Sequence, residues 1–200
     1  MKKLLLSICL SGLIAFTANA QNNDLADQYM EFKIARSTNS QTELTKTKAT
    51  ELLKHASELN TTQVASLNLA IGRAWETEGR ITAAVPYYEA VIKLVPGYYV
   101  PYRALAYYNF KKCDTLGKAI SESVRLKDPA MNKAALQAYT TQAKKTIAYF
   151  EKALACDTDD DTSRDILASL YKSIKEPDLM TTLPTRLKAL SADCITLLDD

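Results

Sequence analysis

From Val100 to Cys156 this chain offers a helix one strong place to stop. Apolar residues recur at helical spacing through Tyr102, Leu105, Ala106, Tyr108, Phe110, Leu116, Ile120 and Val124. Asp128-Pro129 then ends that run and opens another, because proline is favoured in a first helical turn. The pattern predicts one helix to Lys127 and a second to Cys156, joined by a tight turn. Two such long helices in sequence must lie against each other as a hairpin, and five glycines and six prolines in 200 residues leave too few turns for a β protein. The expected fold class is all-α.

The flanking segments read as shorter helices. Asp24 caps a stripe of Leu25, Tyr29, Phe32 and Arg36, and a helix from Thr42 to Leu59 is expected to bury Leu44, Ala49, Leu52, Leu53 and Ala56. Residues 62–77 place Leu67, Ala70, Ile71, Ala74 and Trp75 on one face. Gly79 stands where a helix C-cap is expected, and a helix from Ile81 to Leu94 stops at Pro96-Gly97. After an acidic turn at Asp157–Asp161, residues 162–173 bury Ile166, Leu167, Leu170 and Tyr171. Pro184 is expected to interrupt the last stretch, leaving a final helix over 185–198.

Residues 65–98 carry a familiar spacing. Asn68-x2-Ile71-Gly72-x2-Trp75 is followed by Ala84-x3-Tyr88 and Pro96, which resembles a tetratricopeptide repeat, a unit of about 34 residues. The small Gly72 and Ala84 would let two helices approach while Trp75 and Tyr88 fill the space between them. Tyr102-x2-Leu105-Ala106 opens a second unit, with Asn109 where the family has an aromatic residue. Its other half is similar to Tyr149–Asp157, so the insertion between the halves creates the long hairpin. Leu167-Ala168-x2-Tyr171 begins a third unit, and residues 24–60 fit loosely.

The resemblance implies a right-handed superhelical solenoid with one elongated hairpin, formed by residues 21–200 as a single domain: clearest repeat at 65–98, hairpin at about 100–156, terminal helices at 160–198. In such stacks the first helix of each unit lines a concave surface. The implied partner-binding residues are Leu69, Arg73, Glu76, Arg103, Tyr107, Phe110 and Lys172, and the implied ligand is a protein or peptide. The lysine, arginine and asparagine set with which some members hold chain termini does not map onto this sequence.

The chain opens differently. Met1-Lys2-Lys3 is positive, Leu4 to Phe16 is almost wholly apolar, and Ala18-Asn19-Ala20 has the small-x-small form that signal peptidase reads. Residues 1–20 are expected to be a signal peptide cleaved after Ala20, its brevity pointing to a bacterial origin and to periplasm or cell exterior. The apolar run falls short of the roughly twenty residues that span a bilayer, and bulky Ile8 makes Cys9 a poor lipidation site. Losing the leader removes two lysines and leaves 23 basic against 23 acidic residues. A neutral chain is a poor ligand for nucleic acid, and no second apolar segment suggests membrane insertion.

Reactive chemistry finds little support. His55 is the sole histidine, which rules out His-based triads and His-rich zinc sites. Asp157-x-Asp159-x-Asp161 has the spacing that begins a calcium loop, but Thr162 and Ala168 stand where an EF-hand needs glycine and glutamate; these acids are expected to cap the next helix. No cofactor motif and no enzymatic constellation emerges. Cys113, Cys156 and Cys194 are an odd number of thiols, and a Cys156–Cys194 bridge is left open. Tyr88 and Tyr102 are expected in the core, whereas Tyr98, Tyr99 and Tyr107 are free to meet a ligand. Two functions remain: a non-enzymatic exported scaffold that binds a protein, or a small-ligand or glycan binder using exposed tyrosines. Leu187, Leu190, Ile195 and Leu197 could also support a homo-oligomer.

Overall fold

A computed structural model describes residues 24–38 and 42–198. The expected leader at 1–20, with its cleavage point, lies outside the described residues. Those residues are all-helical: eight α-helices, two short 3₁₀ segments and one isolated β-bridge between Tyr98 and Ile195. Among them no helix is long and apolar enough to cross a membrane. The chain divides into two compact units, meeting in sequence at Asn60–Thr61.

In the first unit α1 spans 24–37 and α2 spans Thr42–Leu52, followed by a 3₁₀ segment at Leu53–Glu58. Leu25, Tyr29, Phe32 and Ala35 are buried along α1, while Arg36 stays exposed with its guanidinium 5.4 Å from the Phe32 ring. Lys48 of α2 pairs with Glu31 of α1 at 2.7 Å. The expected helix to Leu59 is shorter, because His55 leaves helical geometry (φ −106°, ψ 23°). Leu44 is exposed: the buried stripe runs Thr45, Ala49, Leu52, at the i, i+4, i+7 spacing of one helix face, and Leu44 falls off it.

The second unit contains α3 (Thr61–Thr77), α4 (Ile81–Leu94), α5 (Val100–Arg125), α6 (Pro129–Cys156), α7 (Asp161–Ser173) and α8 (Leu179–Leu190). Each helix packs on the next in sequence, and α8 also packs on α6. One core lies between α3, α4 and the start of α5, with Leu69, Ala84, Tyr88, Val91 and Leu105. The other joins the base of the long hairpin to α7 and α8 around Phe150, Leu154, Leu167, Leu170 and Tyr171.

Three helix ends use one device. After α3, the Arg80 N–H donates to the Trp75 carbonyl and the Gly79 N–H to that of Glu76, with Gly79 at φ +73°. The same bonds recur with Lys127 (φ 54°) after α5 and Lys175 (φ 62°) after α7. This left-handed cap satisfies carbonyls that the helix leaves open, and glycine adopts it without the Cβ penalty.

Pro184 does not interrupt the last stretch. It lies inside α8, where it costs one backbone hydrogen bond, and the burial of Leu183 and packing of Leu187 against the second core hold the helix across it. The expected helix to 198 instead ends at Leu190, and Cys194 is extended (φ −62°, ψ 131°).

Candidate interaction surface

The contact between α3 and α4 is set by size. A Cβ on Gly72 would sit 2.7 Å from Cε1 of Tyr88, so any larger residue would force the buried ring or the helix behind it to shift. The Tyr88 hydroxyl donates to the Glu76 carboxylate across the pair. Burial, reinforced by that carboxylate, pushes the Tyr88 phenol well above its ordinary range. Trp75, expected to be buried, is half-buried and carries the Arg80 guanidinium 4.3 Å from its ring.

A second phenol–carboxylate lock ties α6 to α7 and α8. Tyr171 donates to Glu151 Oε1 at 2.5 Å, and Arg186 approaches both carboxylate oxygens at 3.0 and 3.2 Å. The same guanidinium donates to the Tyr171 oxygen at 2.8 Å and to the Leu179 carbonyl at 3.0 Å. Burial and the Glu151 hydrogen bond raise the Tyr171 phenol far above its usual range. Charge-assisted bonds of this kind hold a partly buried ion pair only when every partner is in place.

Asn109, which departs from the repeat pattern, has a structural role. It is buried in α5, its amide donates to the Leu105 carbonyl at 2.7 Å, and its oxygen accepts from Gln142 of α6 at 2.9 Å. Cys113 and Thr146 continue this polar strip, 3.5 Å apart. Burial raises the Cys113 thiol, which keeps it in the less nucleophilic form.

The residues expected to line a groove fall into two groups. Leu69 is buried in the first core. Tyr107 and Phe110 lie edge-on to the Phe150 ring, at 5.2 and 6.3 Å between centroids, and pack on the second core. Arg73, Glu76, Arg103 and Lys172 are exposed, on α3, α5 and α7. Arg103 reaches Asp157 at 3.4 Å, and the charge of Arg73 bears on the Tyr88 phenol. Among the tyrosines expected to be free, Tyr98 is only 6% exposed and Tyr107 serves the core, whereas Tyr99 is half-buried.

The Cys156–Cys194 bridge that the sequence left open is formed, with Cα atoms 5.4 Å apart, and it fixes the segment after α8; what sequence reasoning missed is that this segment buries Tyr98. Lys152 reinforces the bridge by donating to the Leu190 carbonyl at 2.9 Å and to Asp193 at 2.5 Å. The Ile195 N–H donates to the Gly97 carbonyl at 2.9 Å, and a Cβ on Gly97 would meet the Asp193 carbonyl oxygen at 1.8 Å. Backbone therefore lies directly on backbone at Pro96-Gly97, a residue pair the sequence marked merely as a turn.

The acidic turn caps α7: Asp160 accepts from the Ser163 N–H at 3.0 Å and from its hydroxyl at 2.6 Å. Among the described residues no group of His, Cys, Asp and Glu is arranged to hold a metal ion. An open groove of about 580 Å³ lies between α6 and α8, floored by Ala155, Met180, Leu183 and Leu187, with Arg164 and Lys188 at its rim. Comparison with protein-family models, curated proteins and solved structures finds no match to this chain.

Proposed function

We propose that this chain is an exported, non-enzymatic scaffold of tetratricopeptide type that binds a protein partner in the periplasm or outside the cell. The observation that carries the reading is the sequential packing of α3 to α7, each helix against the next, with exposed charge on the first helix of each pair: Arg73 on α3, Arg103 on α5 and Lys172 on α7. The tight Gly72–Tyr88 approach supports the repeat reading, because it puts the small and large residues of the 65–98 spacing against each other. Rigid stacks of this kind recognise partners by shape and charge without covalent chemistry. Three cations on alternate helices, α3, α5 and α7, favour an acidic or carboxylate-bearing segment.

The test is capture from the native envelope. Cross-linking to the protein is compared with the Arg73→Glu, Arg103→Glu, Lys172→Glu variant, whose changes are all at exposed positions. One protein captured by the unaltered chain and lost from the variant is the expected result. Capture that is absent, or identical in both, removes this surface from the account.

A further inference from the structure

The distal end of the long hairpin combines two properties that nothing in the preceding reading uses. Between Asp114 and Gln142 the single buried side chain among the described residues is Ser123, and α7 meets this part at its base, where the Tyr139 hydroxyl donates to Ser173 at 2.9 Å. At its end large apolar side chains face outward: Val124 is 64% exposed, Leu126 52% and Met131 38%, with Leu136 at 46% two turns further back. Pro129 and Ala130 are exposed between them. A protein that needed only a turn here would use polar residues, because scattered exposure is ordinary and a cluster at one tip is not.

From Asp114 to Gln142 the chain has four Lys and Arg against three Asp and Glu, and the cationic excess gathers at the tip, where Lys118, Arg125, Lys127 and Lys133 stand against Glu122 and Asp128. Near the tip both acids are engaged locally. Glu122 takes the Arg125 guanidinium at 2.5 and 2.7 Å, and Asp128 caps α6 by accepting from the Met131 N–H at 2.9 Å. Lys118, Lys127 and Lys133 are exposed around them. At about 1.5 Å of rise per residue, Lys133 lies roughly 6 Å behind the start of α6 and Lys118 roughly 10 Å behind the end of α5. Lys127 thus stands in the apolar end itself, between Leu126 and Asp128, and Lys118 and Lys133 lie behind it on the two helices.

We propose that the α5–α6 tip docks on an anionic lipid surface, with Val124, Leu126 and Met131 entering the interface and Lys118, Lys127 and Lys133 meeting the headgroups. The charge pattern favours this occupant. Two copies meeting tip to tip would bring these lysines against one another. A convex apolar end needs no matching pocket in a lipid interface, where apolar side chains sit about 5–10 Å deep and flanking cations meet anionic lipid. The tip lies on the membrane and does not span it, which agrees with the absence of a membrane-crossing helix among the described residues. The proposal is independent of whether the Arg73–Arg103–Lys172 surface binds a protein.

The test is co-sedimentation of the purified protein with vesicles of equal parts phosphatidylglycerol and phosphatidylcholine, against vesicles of phosphatidylcholine alone. Binding to the anionic vesicles, at least about tenfold weaker on the neutral ones and weakened by salt, is expected. The Val124→Ser, Leu126→Ser, Met131→Ser variant and the Lys127→Glu, Lys133→Glu variant should each lose about tenfold or more. All five positions are exposed, and circular dichroism checks that the helices persist. A Lys54→Glu, Lys93→Glu control has the same charge change away from the tip and should stay within about threefold. No binding to anionic vesicles, or equal losses in control and tip variants, overturns the proposal. So does capture of an acidic protein in the absence of vesicles that the tip variants abolish while vesicle binding is nil: that result hands the tip to a protein partner.

Discussion

The base and the distal end of the α5–α6 hairpin are made of the same two helices, yet different forces hold them. At the base, Leu105, Ala106, Cys113, Ala143, Ile147, Phe150 and Leu154 are buried, and α4, α7 and α8 pack alongside. Beyond Asp114, as far as Gln142, the one buried side chain among the described residues is Ser123, and the contact with α7 is at Tyr139, next to the base. Helical propensity and pairwise packing suffice to continue a helix once it is nucleated, so the distal half can extend without a core of its own. What it gives up is resistance to local opening, and what it gains is surface.

Substitutions should divide along this line. The largest effect is expected at the base: Phe150→Ala removes the ring that Tyr107 and Phe110 meet edge-on and should cost about 3–5 kcal/mol in urea unfolding. Cys194→Ser opens a cross-link over 38 residues and should cost about 3–4 kcal/mol by the chain-entropy account; freeing the segment after α8 would also expose Tyr98, readable as a change in tyrosine emission. Arg186→Met leaves Glu151 without its cation. Because the guanidinium is partly solvated, the loss should be about 1–3 kcal/mol. If Val124→Ala or Leu136→Ala, at the distal end, cost as much as any of these, the contrast between the two halves would be broken; changes within about 0.5 kcal/mol are expected there.

Two further changes sharpen the contrast. Lys127 and Lys175 occupy the same left-handed cap, one at the distal turn and one beside the base. Glycine at either should remove the Cβ penalty and stabilise its turn by up to about 1 kcal/mol. At the base this should raise the global melting temperature. At the tip it should chiefly slow local opening, a difference seen by comparing melts with amide exchange. Raising the pH tests the packed regions in a second way. Tyr88 and Tyr171 have folded pKa values raised above the ordinary value near 10, so the unfolded chain gives up those protons first. Their contribution is complete below about pH 10 and is lost as pH rises beyond it. Thermal melts from neutral to alkaline pH should fall more steeply for the unaltered chain than for a Tyr88→Phe variant.

Local signals were legible in the sequence and long-range ones were not. Asp128-Pro129 and Gly79 each announce their turns through residues whose backbone preferences admit few alternatives. Lys127 and Lys175 adopt the Gly79 conformation without being glycine: Pro129 and Pro177, each two residues on, mark the turns, but nothing in the lysines themselves marks the left-handed position. Pro184 misled because its local cost is outweighed by the burial of Leu183 beside it. Tyr98 looked free because what covers it lies nearly a hundred residues away in sequence. The Glu151–Tyr171–Arg186 lock left no trace, since none of its spacings matches a helix period. The exposed cations Arg73, Arg103 and Lys172 were reachable from helical register, whereas Tyr107 and Phe110 share that register and turn to Phe150 instead.

Native-state hydrogen exchange along α5 and α6 tests the central contrast most directly. Amides of residues 105–113 and 143–154 should exchange only through openings that approach global unfolding, while those of 116–140 should exchange through far cheaper local openings. Uniform protection from Tyr102 to Cys156 would contradict the account, since it would mean that the distal hairpin is held as firmly as the base.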